Sequence, residues 1–419
     1  MSENVKLPDG WQKVKLSEII EEVKERNITN NKEYPILTSS RKGIYIQEEY
    51  FNRVVASENL SNYKIIRKNE FTYRSMSDDQ TFVFNRLELL EVGLVSPAYY
   101  VFKAKNSLST FIKYFLNNSQ EIKSQISKVI EGTTRTALRF NQVLKFVAMV
   151  PPLPEQRKIA EILETIDNAI EKTDAIIEKY KRIKQGLMQD LFTKGVVSEG
   201  AGERERWRLR DENIDKFKDS PLGRIPEGWK WVKLGEVITF IKGKVPNKLS
   251  NIQEHSMVIY LSPEYLRGNI NETFFCSVKN VILADNDIII LFDGSNAGEI
   301  FFAEKGAIAS TMAKVDIQTK FIHKIFLYYV LKSYERLIKS QIKGSGIPHV
   351  EKNIFELLFA PLPPLPEQRK IAEILETIDN AIEKTDAIKE KLERIKKGLM
   401  EDLLTGKVRV NHLIEEEEK

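Results

Sequence analysis

The sequence predicts an α+β fold in which two globular domains are joined by two long antiparallel helices that form a coiled coil with pseudo-twofold symmetry. Two observations lead to this prediction. A block of 43 residues occurs twice, at 151–193 and 363–405, with 37 identical positions. Each copy follows a block of unrelated sequence, and a chain of 419 residues is long enough for several domains.

The duplication extends to the beginning of each half. Pro8–Ile20 matches Pro226–Ile238, including one tryptophan and a Val-Lys-Leu run. Between these markers and the repeated blocks, the two halves are unrelated. We therefore predict globular domains at 1–150 and 223–362, long helices at 151–193 and 363–406, a linker at 194–222 and an acidic tail at 407–419.

The repeated block has the features of one long helix. Its proline run ends at Pro154, at the expected first helical position, and no proline or glycine follows until Gly186. Apolar and small residues recur at alternating spacings of four and three, with a gap at Lys184, which is typical of a coiled-coil seam. Glu155–Phe192 would measure about 57 Å at the usual rise per residue.

A second apolar row runs beside the seam in each copy. Its members are Ile162, Ala169, Ile176 and Ile183 in the first copy, and Ile374, Ala381, Ile388 and Ile395 in the second. We expect this row to widen the apolar stripe. Two such helices bury their stripes by packing on each other, and a twofold relation of the halves makes them antiparallel. The alternative is that each helix packs only on its own globular block.

The linker is rich in charge and glycine. We expect an exposed connector with one short helical piece at Glu212–Lys218.

Composition excludes several classes of protein. No stretch reaches the roughly 18 uninterrupted apolar residues of a membrane span, and residues 1–10 lack a signal-peptide core. One cysteine and four scattered histidines provide neither an internal disulfide nor an ordinary structural zinc site. We expect a soluble cytoplasmic protein without a bound metal.

Charge is distributed unevenly along the chain. Lysine and arginine exceed aspartate and glutamate by 5 in residues 1–150 and by 3 in residues 222–362. The segments 151–221 and 363–419 have net charges of −1 and −3. A polyanion would therefore contact the globular blocks, although an excess this small leaves a protein partner open.

Signatures of catalysis are mostly missing. The sequence contains no phosphate-binding P-loop, no dinucleotide fingerprint and no nucleophile elbow. Gly294–Gly298 follows an apolar run and predicts a turn between two strands, and Cys276 is expected to be buried in a strand. Pro8-Asp9 with Glu22 and Lys24 superficially resembles a nuclease pattern, but we expect Glu22–Lys24 to lie on a solvated helical face. We predict no catalytic residue.

Polar and basic residues cluster instead at turns beside aromatic, strand-like runs. In the first block these candidates for DNA binding are Ser39, Arg41, Lys42, Tyr73, Arg74, Ser75, Thr134 and Arg135. In the second block they are Lys242, Lys244, Asn247, Lys248, Ser295, Asn296, Lys343 and Ser345. Such side chains can read base edges or hold phosphates, although each one taken singly is also typical of a solvated loop.

With these motifs, the chain resembles the specificity subunit of type I restriction–modification systems over essentially its whole length. The resemblance rests on the Pro-Pro-Leu-Pro-Glu-Gln-Arg-Lys run at 151–158 and 363–370, on Asp219–Trp229, and on Gly93–Tyr99. Residues 286–290 followed by Gly294 are similar to a strand-and-turn pattern of the family, with Asn286 where glycine is commoner. A second departure is that Gly132-Thr-Thr in the first block becomes Gly344-Ser-Gly in the second.

This resemblance implies a function for every part of the chain. Each globular block would be a target-recognition domain that binds one half of a bipartite, asymmetric site in double-stranded DNA. The helices would set the spacer length and dock two methyltransferase (modification) subunits. Those partners would use S-adenosylmethionine, and a separate restriction or motor subunit would use ATP and Mg, so the chain itself would be non-catalytic and hold no cofactor.

Two other functions stay open from the residues alone. One is a protein–protein scaffold with two peptide-binding heads on a coiled-coil rod. The other is the recognition half of a self-contained enzyme, which the missing methylase and nuclease motifs weaken.

Overall fold

The computed structural model describes residues 7–51, 58–130, 136–200, 206–342 and 348–417. The chain divides into two compact units. Unit 1 comprises Met1–Ala175 with Ala387–Lys419, and unit 2 comprises Ile176–Asp386. Each unit therefore contains one α+β domain and parts of two long helices.

Unit 1 is built largely from short strands. They are β1 (Gln12–Lys15), β2 (Ile20–Glu22), β3 (Leu37–Ser40), β4 (Gly43–Ile46), β5 (Lys64–Arg67), β6 (Phe71–Arg74), β7 (Met76–Ser77), β8 (Asn85–Arg86), β9 (Val92–Val95), β10 (Tyr99–Ala104), β11 (Thr136–Ala137) and β12 (Val147–Val150). The largest sheet is antiparallel with the order β2-β10-β6-β8. The other strands pair as β1–β12, β3–β4, β5–β9 and β7–β11. Glu22 thus lies in a strand, so its predicted helical face is wrong.

Short helices and aromatic rings complete this domain. The helices are α1 (Leu16–Ile19), α2 (Gln47–Phe51), α3 (Ser109–Asn118), α4 (Gln120–Ile130) and α5 (Phe140–Val143). Phe71 and Tyr73 are two residues apart in β6, so their side chains point to the same face of the sheet. The Phe71 ring stacks on Phe102 of β10 with 5.1 Å between the ring centroids. Burial of these rings supplies much of the stability of the domain.

The first long helix, α6 (Leu153–Thr193), begins in unit 1 and ends in unit 2. Pro154 lies in its first turn, where a missing N–H breaks no helical hydrogen bond. The helix is followed by Gly195, whose φ of +62° lies in the left-handed region and whose N–H donates to the carbonyl of Asp190. The predicted helix is confirmed: it lies within the predicted segment 151–193, beginning two residues before Glu155 and ending one residue after Phe192.

Unit 2 is also built largely from strands, and seven of those described form one large sheet. Its strands are β13 (Val196–Glu199), β14 (Arg206–Leu209), β15 (Phe217–Ser220), β16 (Gly223–Pro226), β17 (Lys230–Lys233), β18 (Ile238–Lys242), β19 (Leu249–Ser250), β20 (Met257–Leu261), β21 (Phe274–Ser277), β22 (Leu283–Leu291), β23 (Ile300–Ile308), β24 (Met312–Ile317) and β25 (Phe359–Leu362). The sheet order is β18-β24-β22-β23-β20-β21-β19, with one parallel pair, β20 with β23. The predicted turn at 294–298 joins β22 to β23, and Cys276 is buried in β21, as predicted.

Helices cover this sheet. They are α7 (Leu234–Val237), α8 (Pro263–Leu266), α9 (Lys324–Ser340) and α10 (Ile354–Leu357). Strand β22 reads Ile-Ile-Ile-Leu at its end because both of its faces are buried. Ile288 and Ile290 pack in the cluster that contains α9, while Ile289 and Leu291 belong to a separate apolar cluster.

The predicted linker is folded in its described part. Residues 196–199 pair with 206–209, and residues 217–220 pair with 223–226, in two antiparallel hairpins. Val196 and Ile225 are buried in the core of unit 2. The predicted helical piece at Glu212–Lys218 is wrong, because these residues form turns that lead into β15.

The second long helix, α11 (Leu365–Leu404), begins in unit 2 and ends in unit 1, where the tail adds α12 (Asn411–Glu417). Within unit 1, Asp174 and Asp167 of α6 form ion pairs with Lys389 and Lys396 of α11 at 2.7 and 2.5 Å. Moving seven residues back along α6, from Asp174 to Asp167, corresponds to moving seven residues forward along α11, from Lys389 to Lys396. The two helices are therefore antiparallel and pack on each other, as predicted.

The second apolar row does not all join the seam. Ile162 and Ala169 are partly buried, but Ile176 and Ile183 are 46% and 40% exposed. Their counterparts Ile388 and Ile395 are 54% and 40% exposed. The row thus forms a flank beside the seam, partly buried at Ile162 and Ala169 and exposed at the four isoleucines.

Replacing Gly195 by alanine is expected to destabilise unit 2. An added Cβ would lie 2.1 Å from the Trp229 ring and 2.4 Å from the Glu367 carboxylate, at a φ that side chains avoid. Thermal unfolding should shift downward by several degrees. Gly186→Ala is the matched control, because a Cβ at this helical site meets nothing within 4 Å. It should raise stability by roughly 0.5–1 kcal/mol, and a Gly195→Ala chain that is equally stable would contradict this description.

Candidate functional site

The first group of candidate residues surrounds a surface cavity of about 540 Å³ in unit 1. The β3–β4 hairpin supplies Ser39, Arg41 and Lys42, and the end of β6 supplies Arg74. Ser39 accepts a hydrogen bond from Asn85 at 2.8 Å, and the Arg41 guanidinium pairs with Asp79. The fold thus brings four predicted residues from two separate stretches of sequence to one surface.

Other predicted residues of the first block do not join that surface. Tyr73 is fully buried, and its hydroxyl donates to the carbonyl of Leu138 at 3.1 Å. Because this ring belongs to the aromatic core, we remove Tyr73 from the candidates for DNA binding. Ser75 is partly exposed and donates to the carbonyl of Ala98, whereas Thr134 and Arg135 lie outside the described residues.

The second group lies at the end of the large sheet in unit 2. Lys242 and Lys244 line a surface cavity of about 640 Å³ together with Asp293. Lys242 donates to Asp293 at 2.8 Å, and Lys248 pairs with Glu254 at 2.6 Å. Exposed Asn247 belongs to the same loop, exposed Ser295 and Asn296 lie on the β22–β23 hairpin, and Lys343 and Ser345 lie outside the described residues.

One residue of this surface was missed from the sequence. The Nδ1 atom of His349 lies 2.9 Å from Asp293, and the His349 side chain is 45% exposed. Burial opposes ionisation of Asp293, but hydrogen bonds from Lys242 and His349 outweigh it and lower the pKa of this carboxyl. No motif marks His349, because its partner is 56 residues away in sequence and only the fold brings them together.

The repeated proline-rich motif forms a buried junction between each domain and its helix. In unit 1, Glu155 accepts hydrogen bonds from Trp11 at 3.0 Å and from Arg409 at 2.7 Å. In unit 2, Glu367 accepts from Trp229 at 3.0 Å and from the backbone of Val196 at 2.9 Å, and it also pairs with Arg210. The same glutamate–tryptophan–arginine arrangement therefore occurs twice.

The glutamine that follows each glutamate has a second function in the junction. Gln156 accepts from the Ser107 hydroxyl at 2.6 Å and from the backbone of Leu108 at 3.0 Å, immediately before α3. Gln368 accepts from the backbone of His323 at 2.8 Å, immediately before α9. These bonds attach the first residues of a domain helix to the long helix, so the motif is structural.

Among the described residues, no group of three or more histidine, cysteine, aspartate or glutamate side chains could share a metal ion. In that same part of the chain, no helix is both long and apolar enough to cross a membrane.

Comparison with known proteins gives the same organisation. The model of the type I restriction modification DNA specificity domain matches residues 8–181 and 226–394, one match in each half. The type I restriction enzyme MjaVIII specificity subunit of Methanocaldococcus jannaschii is 45% identical over 192 residues, which cover 46% of this chain and 45% of that protein.

Two further relatives extend over nearly the whole chain. The putative type I restriction enzyme MjaX specificity subunit of the same organism is 27% identical over 96% of this chain and 95% of that protein. The crystal structure of the type I restriction–modification S subunit from M. genitalium matches with a TM-score of 0.56 and 16% identity, over 96% of this chain and 98% of that one. This chain therefore belongs to the type I restriction–modification DNA specificity family.

Proposed function

We propose that the chain is the subunit that recognises the DNA target of a type I restriction–modification complex, with one recognition domain for each half of a bipartite, asymmetric site. One observation supports this most directly. Two unlike polar surfaces are carried by domains that are joined to near-identical helices through the same buried junction. Two domains that are attached to their helices in the same way, but that have different surfaces, can recognise two different half-sites at a constant spacing.

The two surfaces differ in their chemistry. In unit 1 the cavity combines Arg41, Lys42 and Arg74 with the aromatic residues Tyr50 and Phe51. In unit 2 lysines surround the Asp293–His349 pair. Because an ionised carboxylate only accepts hydrogen bonds, Nδ1 of His349 donates to Asp293, and this bond fixes the orientation of the ring. An imidazole held in this way can present Nε2 to the edge of a base.

The function is tested by reconstituting the chain with its modification subunits and sequencing the methylated sites. We expect two short sequences that differ from each other and are separated by a spacer of one length. Duplex affinity should also fall log-linearly with salt concentration. Affinity that does not change with salt, or no binding even with the modification subunits present, would favour a scaffold that binds polypeptides.

Replacing one exposed cation in either domain should affect only the half-site that this domain binds. Arg74→Ala is expected to weaken recognition of one half-site by about tenfold, and Lys244→Ala that of the other half-site, because each removes a single phosphate or base contact. Among the described residues neither side chain has an ion-pair partner, so folding should be preserved. Competition binding with duplexes mutated in one half-site measures the effect.

Each of these two variants is the control for the other. Equal loss at both half-sites for either variant would place that side chain outside its recognition surface and contradict the assignment.

We further infer that two identical partner subunits dock on the exposed isoleucine pairs of the long helices. Ile176 with Ile183 lies in unit 2, and Ile388 with Ile395 lies in unit 1. Of the six positions at which the helix copies differ, five lie more than about 100° around the helix from this line of isoleucines. The same apolar surface is thus presented twice, which suits two copies of one modification subunit.

In this proposal the chain performs no chemistry of its own. Methylation with S-adenosylmethionine would belong to the modification subunits, and use of ATP and Mg to a restriction or motor subunit. The chain contributes target sequence, spacer length and docking surfaces.

A further inference from the structure

One carboxylate in each unit joins three helices. In unit 2, Asp379 of α11 accepts from Lys184 of α6 at 2.5 Å and from the Tyr329 hydroxyl of α9 at 2.8 Å. The Lys184 ammonium also lies 5.1 Å from the centre of the Tyr329 ring. Lys184 is the residue that interrupts the apolar seam, so a charged group replaces an apolar one at this level of the coiled coil.

The same group occurs in unit 1. Asp167 of α6 accepts from the Tyr114 hydroxyl of α3 at 2.7 Å and forms an ion pair with Lys396 of α11 at 2.5 Å. Asp167 and Lys396 are the repeat counterparts of Asp379 and Lys184. The tyrosines have no such relation, because they come from the two unlike domains. Both domains nevertheless place a tyrosine hydroxyl on the equivalent carboxylate.

The tyrosines remain hydrogen-bond donors. Burial, and after it the hydrogen bond to aspartate, raises the pKa of Tyr329 and of Tyr114. Each hydroxyl therefore keeps its proton at neutral pH and can donate to the carboxylate. In each unit the aspartate is thus the anion, the lysine is the cation that pairs with it, and the tyrosine is a neutral hydrogen-bond donor to the same carboxylate.

The apolar seam alone does not define how the two helices are aligned. Apolar residues recur every seven positions, so sliding one helix by seven residues, about 10 Å, again places apolar side chains against apolar ones. That slide separates Lys184 from Asp379 and Lys396 from Asp167. In one direction it sets the two lysines against Ala372 and Ala160, and in the other against Asp386 and Asp174, while the tyrosines stay with Asp379 and Asp167. Polar pairs at single levels of a coiled coil are a well-tested means of selecting one register.

We propose that the two triads, Lys184–Asp379–Tyr329 and Lys396–Asp167–Tyr114, select the register of α6 against α11 and thereby the length of the DNA spacer. The second part rests on the proposed function, whereas the first can be tested without DNA. These six side chains are positioning residues: they act on the alignment of the helices that carry the recognition domains.

The test replaces both lysines by leucine, Lys184→Leu with Lys396→Leu. Leucine suits the seam, so the melting temperature should stay the same or rise, while the preference for one register is lost. Spin labels at exposed positions 168 and 393, both in unit 1, report the register by pulsed electron paramagnetic resonance. We expect one narrow distance for the parent chain and an added population shifted by about 10 Å for the variant.

The DNA readout uses the chain assembled with its modification subunits. Methylated sites whose spacer differs by about three base pairs, at about 3.4 Å per base pair, should appear beside the parent sites with unchanged half-sequences. Arg182→Leu with Arg394→Leu is the matched control, because these exposed cations lie off the seam, and it should keep one distance and one spacer. Lys184→Arg with Lys396→Arg should retain the parent register.

The proposal is overturned if the leucine variant keeps the single distance and single spacer of the parent chain. If the leucine variant fails to fold, Lys184→Gln with Lys396→Gln supplies the same comparison with polar side chains of similar length. If the parent chain shows no bipartite target, the proposed function fails, while the spin-label distances still decide the register.

Discussion

Replacing Glu367 by alanine is expected to destabilise unit 2 by about 3–5 kcal/mol, because a buried ion pair loses one partner. The glutamate is 4% exposed. Its removal leaves the Trp229 indole N–H and the Val196 backbone N–H without their acceptor, and it removes the anionic partner of Arg210. For a unit of this size the melting temperature should fall by about 10 °C.

The control for this variant is Glu373→Ala on the same helix. Glu373 is exposed, and within the described part of the chain its carboxylate pairs with Lys370, one turn away, so its loss should change stability by less than about 0.5 kcal/mol. Glu155→Ala should reproduce the large effect in unit 1, because Trp11 and Arg409 occupy the equivalent positions. Melting curves for Glu367→Ala that match those of Glu373→Ala would show that the junction does not hold the domain.

Placing two aspartates on one isoleucine pair should abolish docking of one modification subunit. With Ile176→Asp and Ile183→Asp, affinity for that subunit should fall by about 100-fold or more, because charges replace apolar anchors at the centre of the proposed contact. Native mass spectrometry should show one modification subunit per chain, compared with two for the parent chain. The corresponding changes at Ile388 and Ile395 should remove the other subunit.

The chain itself offers the control for this experiment. Lys181→Glu with Gln185→Lys gives α6 the residues that α11 carries at the same positions, on the opposite side of the helix. This variant should bind two subunits with parent affinity. Retention of both subunits by the aspartate variant would contradict the assignment of the docking face.

Periodic features were predictable from the sequence. The seven-residue pattern predicts α6 and α11 because an apolar stripe with this period is stable only when another helix covers it. The hairpin turns at 38–43 and 294–298 were predictable as well, because glycine and polar residues between apolar runs form turns. These patterns are local and are repeated, so they need no knowledge of tertiary contacts.

Features that depend on distant partners were missed or misjudged. The linker was predicted to be an exposed charged connector, yet Val196 is buried and Leu222 is partly buried because the hairpins pack on the core of unit 2. Tyr73 reads as a surface residue beside Arg74, but alternation along β6 turns its ring into the core. His349 carries no motif, and its relation to Asp293 exists only in the folded domain.

The sequence alone determined four points: the duplication, the two long helices, the absence of catalytic motifs and the likeness to the specificity family. Repeats and motifs are properties of the residue order, so they can be identified without a structure. The tertiary structure alone decided which side chains share a surface, which isoleucines stay exposed and why Lys184 interrupts the seam. The physical reason is that burial and ion pairing depend on groups far apart in sequence. The Asp379 carboxylate and the Lys184 ammonium are separated by 195 positions along the chain and by 2.5 Å in space.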